Sequence, residues 1–227
     1  MAEPLATGRR FRLAYAFLGV CLAAAIAGFV VVVRLPPVKH TPWSLWRPSG
    51  EGVHAQTSSI AAHVNRGYRQ VEALLRWPGR GDRLWAIALR KSPDSSDSVL
   101  YHGEKSVIYE LCGTGANCAI RGTRSEALLR REALELTLYT FKYVDKIDTV
   151  AVLLPPSDGS QGATDALFFR DSDLEKPLHK PLRRTFPRLQ PPPRLRSIVG
   201  RLTGGHDYDF QFGTVAQGAV LILSPPR

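Results

Sequence analysis

Residues 13–33 read LAYAFLGVCLAAAIAGFVVVV, 21 positions without a charge, closed by Arg12 on one side and Arg34 on the other. As an α-helix at ~1.5 Å per residue the run is about 30 Å long, the thickness of a bilayer's hydrocarbon core. Whatever follows it is therefore expected to be a domain tethered to a membrane. A secretory signal peptide has a shorter apolar core, about 7–15 residues, ending at a small-residue cleavage site. Here the apolar positions continue past Ala23–Ala27, so a cut there would leave a greasy new amino terminus. Val20 before Cys21 disfavours a lipoprotein box, and Arg9-Arg10 ahead of Phe11 is too loose for a twin-arginine signal. The run reads as an uncleaved signal anchor.

Orientation follows weakly from the flanking charges. Arg9, Arg10 and Arg12 precede the run, but Arg34, Lys39 and Arg47 follow it. Long C-terminal domains translocate largely regardless of their charge, and the tail of residues 1–12 is short. The expected arrangement is a single pass through the cytoplasmic membrane, with the tail inside and residues 53–227 outside.

Roughly 170 residues remain beyond the juxtamembrane segment, enough for one domain with a real core. The segment 34–52 holds Pro36, Pro37, Pro42 and Pro48, which keep it extended. Trp43 and Trp46 suit either a headgroup interface or packing on the domain itself. A helix is predicted over Ser58–Arg69, capped by Ser58 or Ser59, from Ile60, Val64 and Tyr68 at spacing four. Residues 71–77 are a strand or a continuation of that helix, and residues 78–82 a turn. Strands are predicted at 84–90, 99–102 and 106–112, the last two joined as a hairpin across residues 102–105. Thr123 and Glu126 form a capping box that opens a long helix to about Val144. Apolar positions cover more than half of its circumference, leaving a charged strip of Arg131, Glu135 and Lys142; such a helix is central. Strands follow at 149–154, 166–170, 207–212 and 219–223, with residues 213–218 turning between the last two and a short helix around 174–182. The fold class is α+β: one N-terminal transmembrane helix, then a single domain with a mainly antiparallel sheet of six or seven strands packed on a central helix.

The formal charge of the chain is +10. Residues 176–201 carry eight basic residues, no acidic ones and six of the 17 prolines, so the basicity beyond the membrane is local. This segment is expected to run extended over the surface. It reads as a solvated surface, as a contact for anionic lipid or an anionic wall polymer, or as a polyproline ligand for a partner's groove. The residues for an anionic contact are Lys176, Lys180, Arg183, Arg184, Arg188, Arg194 and Arg196. Nucleic acid is not an expected partner of an exported domain.

Cys112 and Cys118 enclose five residues, two of them glycine. The favoured reading is a small structural disulfide in an oxidising compartment, with buried thiols as the alternative. The spacing and the scattered histidines fit neither a zinc cluster nor a Cys-x-x-Cys redox pair. Residues 113–118 mimic a phosphate loop, but Cys118 replaces its third glycine and the helix starts too late. His206, Asp207 and Asp209 read as ordinary strand alternation, with Tyr208 and Phe210 on the opposite face. The chain has no nucleophile elbow, zincin helix or Walker loop. No catalytic residue, metal site or cofactor is predicted.

Several strings occur together: Ile60-Ala61-Ala62-His63-Val64, Tyr109-Glu110-Leu111-Cys112-Gly113 with Asn117-Cys118, Arg131–Leu136 with Leu138–Phe141, Val152–Pro156 and Ala166–Arg170. They resemble uncharacterised single-pass membrane proteins of actinobacteria, over most of the chain beyond Trp43. The resemblance implies no activity and supplies no catalytic residues. The expected function is a non-enzymatic accessory or scaffolding protein of the cell envelope, anchored in the bilayer through residues 13–33 and working with membrane-protein partners. The alternative is a module that binds lipid or a wall fragment in a cavity between sheet and helix. A hydrolase with dispersed residues is the third reading.

Overall fold

The computed structural model describes residues 15–25, 42–68, 72–75, 83–112, 123–156, 165–187 and 192–226. The chain divides into two compact units, Met1–Thr41 and Pro42–Arg227. In the first, residues 15–25 are helical, and Tyr15, Phe17, Leu18, Val20 and Leu22 all stand exposed. Among the described residues no helix is long and apolar enough to cross a membrane; residues 15–25 are the described part of the 13–33 run.

The second unit is α+β. Its eight strands are β1 (Glu72–Leu75), β2 (Leu84–Arg90), β3 (Ser98–His102), β4 (Ser106–Cys112), β5 (Thr149–Leu153), β6 (Asp165–Arg170), β7 (Asp207–Val215) and β8 (Gly218–Ser224). They form one sheet in the order β1-β4-β5-β6-β7-β8-β2-β3. Five of the seven pairings are antiparallel; β4–β5 and β2–β8 are parallel. The β4–β5 pair is parallel because a long helix, α2 (Thr123–Tyr143), supplies the crossover that parallel neighbours require.

Two cores share this sheet. Along β4, β5 and β6 alternate residues point to opposite faces. Val107, Tyr109, Leu111, Val150, Val152, Leu167 and Phe169 meet Leu129, Ala133, Leu134, Leu136 and Leu138 of α2, so α2 is the central helix expected from its apolar circumference. The intervening Ile108, Ala151, Leu153, Ala166 and Phe168 meet Leu84 and Ile87 of β2 and Leu221 and Leu223 of β8. Tyr101 of β3 lies 5.3 Å from the Phe168 ring of β6, although three strands separate β3 from β6 in the sheet. The sheet therefore curls back on itself and closes a second core.

That curl overturns the expected hairpin. β3 and β4 follow each other in sequence but do not pair; β3 pairs with β2, and β4 with β1 and β5. A single 3-10 turn, Gly103–Lys105, carries the chain from one edge of the sheet across to β4. Only glycine fits at its start, since a Cβ on Gly103 would lie 1.9 Å from the Leu84 carbonyl oxygen. Propensity and turn chemistry look alike for a hairpin and a crossover, so local sequence does not separate them.

Three further boundaries differ. Helix α1 runs Val53–Asn65, not from Ser58, and its N-cap is Gly52, entered through Gly50 and Gly52 at positive φ. The Ser59 hydroxyl instead binds the Ser49 amide and hydroxyl. The described residues of the 176–201 segment are mainly helical and not extended: a 3-10 turn (Asp171–Leu174) leads into α3 (Glu175–Leu178) and α4 (Leu182–Thr185), and α5 spans Pro192–Thr203. Proline at the first turn of a helix is compatible with helix, because its missing N–H would have been unpaired there. Finally, β7 continues to Val215 and β8 begins at Gly218, a tighter hairpin than the expected 213–218 turn. Gly218 sits at φ 137°, where its α-carbon packs against the Arg83 carbonyl.

Candidate functional site

Chemistry in this domain gathers along α2, in three places. The first is its buried flank. Glu132 has no exposed surface, and neither of its carboxylate oxygens has a hydrogen-bond partner. Burial, with the neighbouring charge of Glu135, pushes the Glu132 carboxyl up to about 8. One turn on, Glu135 accepts a hydrogen bond from the Tyr68 hydroxyl. Burial raises Glu135 as well, against the Tyr68 hydrogen bond and the Arg131 charge. The Arg131 guanidinium stacks over Phe186 at 5.4 Å and Tyr68 at 6.0 Å, while its Nε is buried without a partner. The Glu132 carboxyl is therefore neutral over most of the physiological range.

The second place is an aromatic clasp at the C-terminal half of α2. Residues 42–49 form a strap across α1 and α2. The Trp43 indole meets Tyr139 and Tyr143 edge-on at 5.3 and 5.6 Å, and its Nε1 donates to the Pro177 carbonyl. The Leu182 amide donates back to the Trp43 carbonyl. Trp46 stacks flat on His63 at 3.8 Å, and the Ser44 hydroxyl pairs with that of Tyr139. Burial, then the Arg66 charge, holds His63 below its ordinary range. Of the two readings of the tryptophans, packing on the domain is the one observed.

The strap brings the basic segment with it. Lys176 on α3, Lys180 beyond it, and Arg183 and Arg184 on α4 are all exposed, next to Pro177 and Leu182, which grip Trp43. None of the four has an ion pair among the described residues. Lys142, at the end of α2, donates to the Leu178 carbonyl. Leu45, between the two fixed tryptophans, is 96% exposed.

The third place is a cleft of about 520 Å³ between the first turns of α2, α5 and the start of β7. Arg130 crosses it, bonded to Glu126 at 3.1 Å and to Asp207 at 2.7 Å. Arg196, Thr203, Gly200 and Gly204 line the rest. The seven basic residues read from the sequence are thus not brought together: four sit at the strap, and Arg196 borders a cleft near the opposite end of α2. Arg130 and Lys142 mark the two places, and twelve residues of helix hold them about 18 Å apart. Arg188 and the side chain of Arg194 lie outside what is described.

The His206–Asp207–Asp209 string is dispersed as strand alternation requires. Tyr208 meets Phe168 on the inner core, and Phe210 and Phe212 join it there. Asp207 turns away to Arg130. The His206 ring packs on Phe169, and its Nδ1 lies 3.1 Å from the Phe168 carbonyl. Its other neighbour is Asp173, at 3.9 Å. Burial alone would raise the Asp173 carboxyl, but hydrogen bonds from the Arg170 side chain and amide, with the charges of Arg170 and His206, outweigh it and hold it low. Among the described residues no cluster of three metal-ligating side chains forms. Cys112 ends β4 half-buried; Cys118, residues 113–117 and the 78–82 turn lie outside the described residues.

The sequence reading missed Glu132, Tyr68 and the strap's grip on α3–α4. A glutamate inside the Arg131–Leu136 run looks like one more surface charge. The signal available was the helix wheel, which sets Glu132 20° from Tyr139, among residues that α1 covers. No protein-family model matches the chain, and no curated protein or solved structure is significantly similar to it.

Proposed function

We propose that this protein is a membrane-anchored accessory or scaffolding component of the cell envelope, with the 13–33 run in the cytoplasmic membrane and the Pro42–Arg227 domain outside. The observation that supports it best is the strap. Eight residues beyond an uncharged, bilayer-length run, the chain locks through Trp43 and Trp46 onto four helices of the domain. Only residues 34–41 separate run from strap, a reach of at most about 29 Å when fully extended. A tether this short holds a domain at a surface rather than casting it outward. The expected Cys112–Cys118 disulfide belongs to the same reading, since an exported domain meets an oxidising compartment.

The sheet–helix cavity that a lipid-binding module would use is filled by Leu129, Leu134, Leu136, Tyr109, Val152 and Phe169, all at 0 or 1% exposure. A ligand-binding reading rests instead on the α2–α5 cleft, whose arginines, carboxylates and Thr203 suit a polar wall fragment better than an acyl chain. Topology decides the main proposal. In intact cells, a membrane-impermeant maleimide should label a single cysteine introduced at Asp97 in a Cys21→Ala background. Labelling only after lysis would refute export of the domain. Affinity purification from solubilised membranes should then recover envelope proteins in fixed ratio.

A further inference from the structure

We propose that the strap face — Leu45 and Arg47 with Lys176, Lys180, Arg183 and Arg184 — docks onto the anionic headgroups of the same bilayer that holds the anchor. The inference rests on the membrane-anchored reading and names the partner of the basic surface. Three observations carry it. First, Leu45 is the most exposed large apolar residue described, at 96%, and it is held there: Trp43 and Trp46 on either side are fixed to Tyr139, Tyr143 and His63, so the leucine cannot fold inward. An apolar side chain fixed outward among cations suits a headgroup interface, where its methyl groups enter the acyl boundary while the cations meet phosphate.

Second, the charge is one-sided. Lys176, Lys180, Arg183 and Arg184 are exposed and without ion pairs among the described residues, and Arg47 stands over the Tyr143 ring at 6.0 Å. Glu175 is the one acidic residue between Glu175 and Thr185. Arg130, by contrast, is neutralised by Glu126 and Asp207, which leaves the cleft at the other end of α2 a poor anion surface. Third, the chain enters the domain at this face. The strap begins at Pro42, eight residues after Arg34 opens the flank of the apolar run. A surface within that reach meets lipid at high effective concentration without any soluble partner.

The test uses the full chain in nanodiscs of phosphatidylcholine alone or with one-third phosphatidylglycerol, read by hydrogen exchange of peptides covering residues 42–47 and 176–186. The expected result is slower exchange in both peptides in phosphatidylglycerol discs only, reversed by 0.5 M salt. Charge reversal at Arg183 and Arg184 (R183E/R184E) should weaken docking by about fivefold per cation lost, and Leu45→Asp should abolish it. Unchanged exchange in β5 and α2 peptides shows that the variants fold. Equal protection in both disc types, or none in either, overturns docking while leaving the anchor intact. Protection that appears in phosphatidylcholine discs only on adding an anionic wall polymer overturns it in favour of the polymer. Failure of the chain to co-elute with discs refutes the anchored reading itself.

Discussion

Glu132→Gln should stabilise this protein increasingly as pH rises, against the usual penalty for altering a core residue. In the folded chain the Glu132 carboxyl titrates near 8, against an ordinary value of 4.5. The unfolded chain therefore releases that proton between about pH 4.5 and 8, while the folded chain keeps it. A group whose pKa is raised on folding costs nothing below its unfolded value and progressively more above it, at about 1.4 kcal/mol per unit. For Glu132 this amounts to less than about 1 kcal/mol at pH 5, about 3 at pH 7 and about 4 at pH 8. Glutamine has the same shape and no charge. It also removes the repulsion from Glu135 that helps raise Glu132. The assay is guanidinium unfolding of the detergent-solubilised chain at pH 5, 6, 7 and 8, with each variant compared against its own pH 5 value so that pH-independent packing costs drop out. The variant should gain about 3 kcal/mol on the parent between pH 5 and 8. A difference that stays flat across that range would mean that Glu132 is ionised with a partner, and the reasoning would fail.

The remaining predictions concern the clasp, the crossover and the core. His63 is held below its ordinary range, so the stability it contributes is present above the free value of 6.5 and is lost as pH falls through the folded one; Trp46 fluorescence should report loosening of the strap in acid, and His63→Phe should remove that response. Gly103→Ala forces a Cβ into the Leu84 carbonyl and should cost about 3 kcal/mol or more, seen as a large drop in denaturation midpoint. Tyr109→Phe deletes the 2.8 Å hydrogen bond to the Thr140 hydroxyl inside the core and should cost about 1–2 kcal/mol, because Thr140 keeps its bond to the Leu136 carbonyl. Thiol alkylation of the denatured, unreduced protein should modify Cys21 alone; a third of the label on each cysteine would exclude the expected disulfide.

Local order was legible where one pattern dominates. The β2 string LWAIALR and the α2 wheel predict their elements because a buried strand and a half-buried helix impose periods that the sequence must obey. The path between elements was not legible. Nothing in His102–Lys105 distinguishes a hairpin from a crossover, since the deciding fact is a carbonyl of β2 that packs on Gly103 from a distant part of the chain. Proline counts misled in residues 176–201, because Pro177 and Pro192 sit in first turns, where helices tolerate them. The basic segment was visible as composition, but its division into a strap face and a cleft wall depends on α2, which touches one part at Lys142 and the other at Arg130. Tyr68 and Glu135 meet across 67 residues of sequence, and no periodicity within either segment announces it.

The place of β8 in the sheet has a consequence for biogenesis. Residues 218–224 lie between β7 and β2, so among the described residues β2 and β3 join the rest of the sheet's ladder through β8. Leu84 and Ala219 are register partners, and the whole of α2 and five strands, β3 to β7, are made between them. A chain that emerges amino-terminus first therefore carries β2 and β3 paired only with each other, with the β2 edge that takes β8 open to misassociation, until residues 218–224 appear. Loss of those residues would not trim the domain; it would leave the curled sheet unable to close and the β2 edge exposed to aggregation.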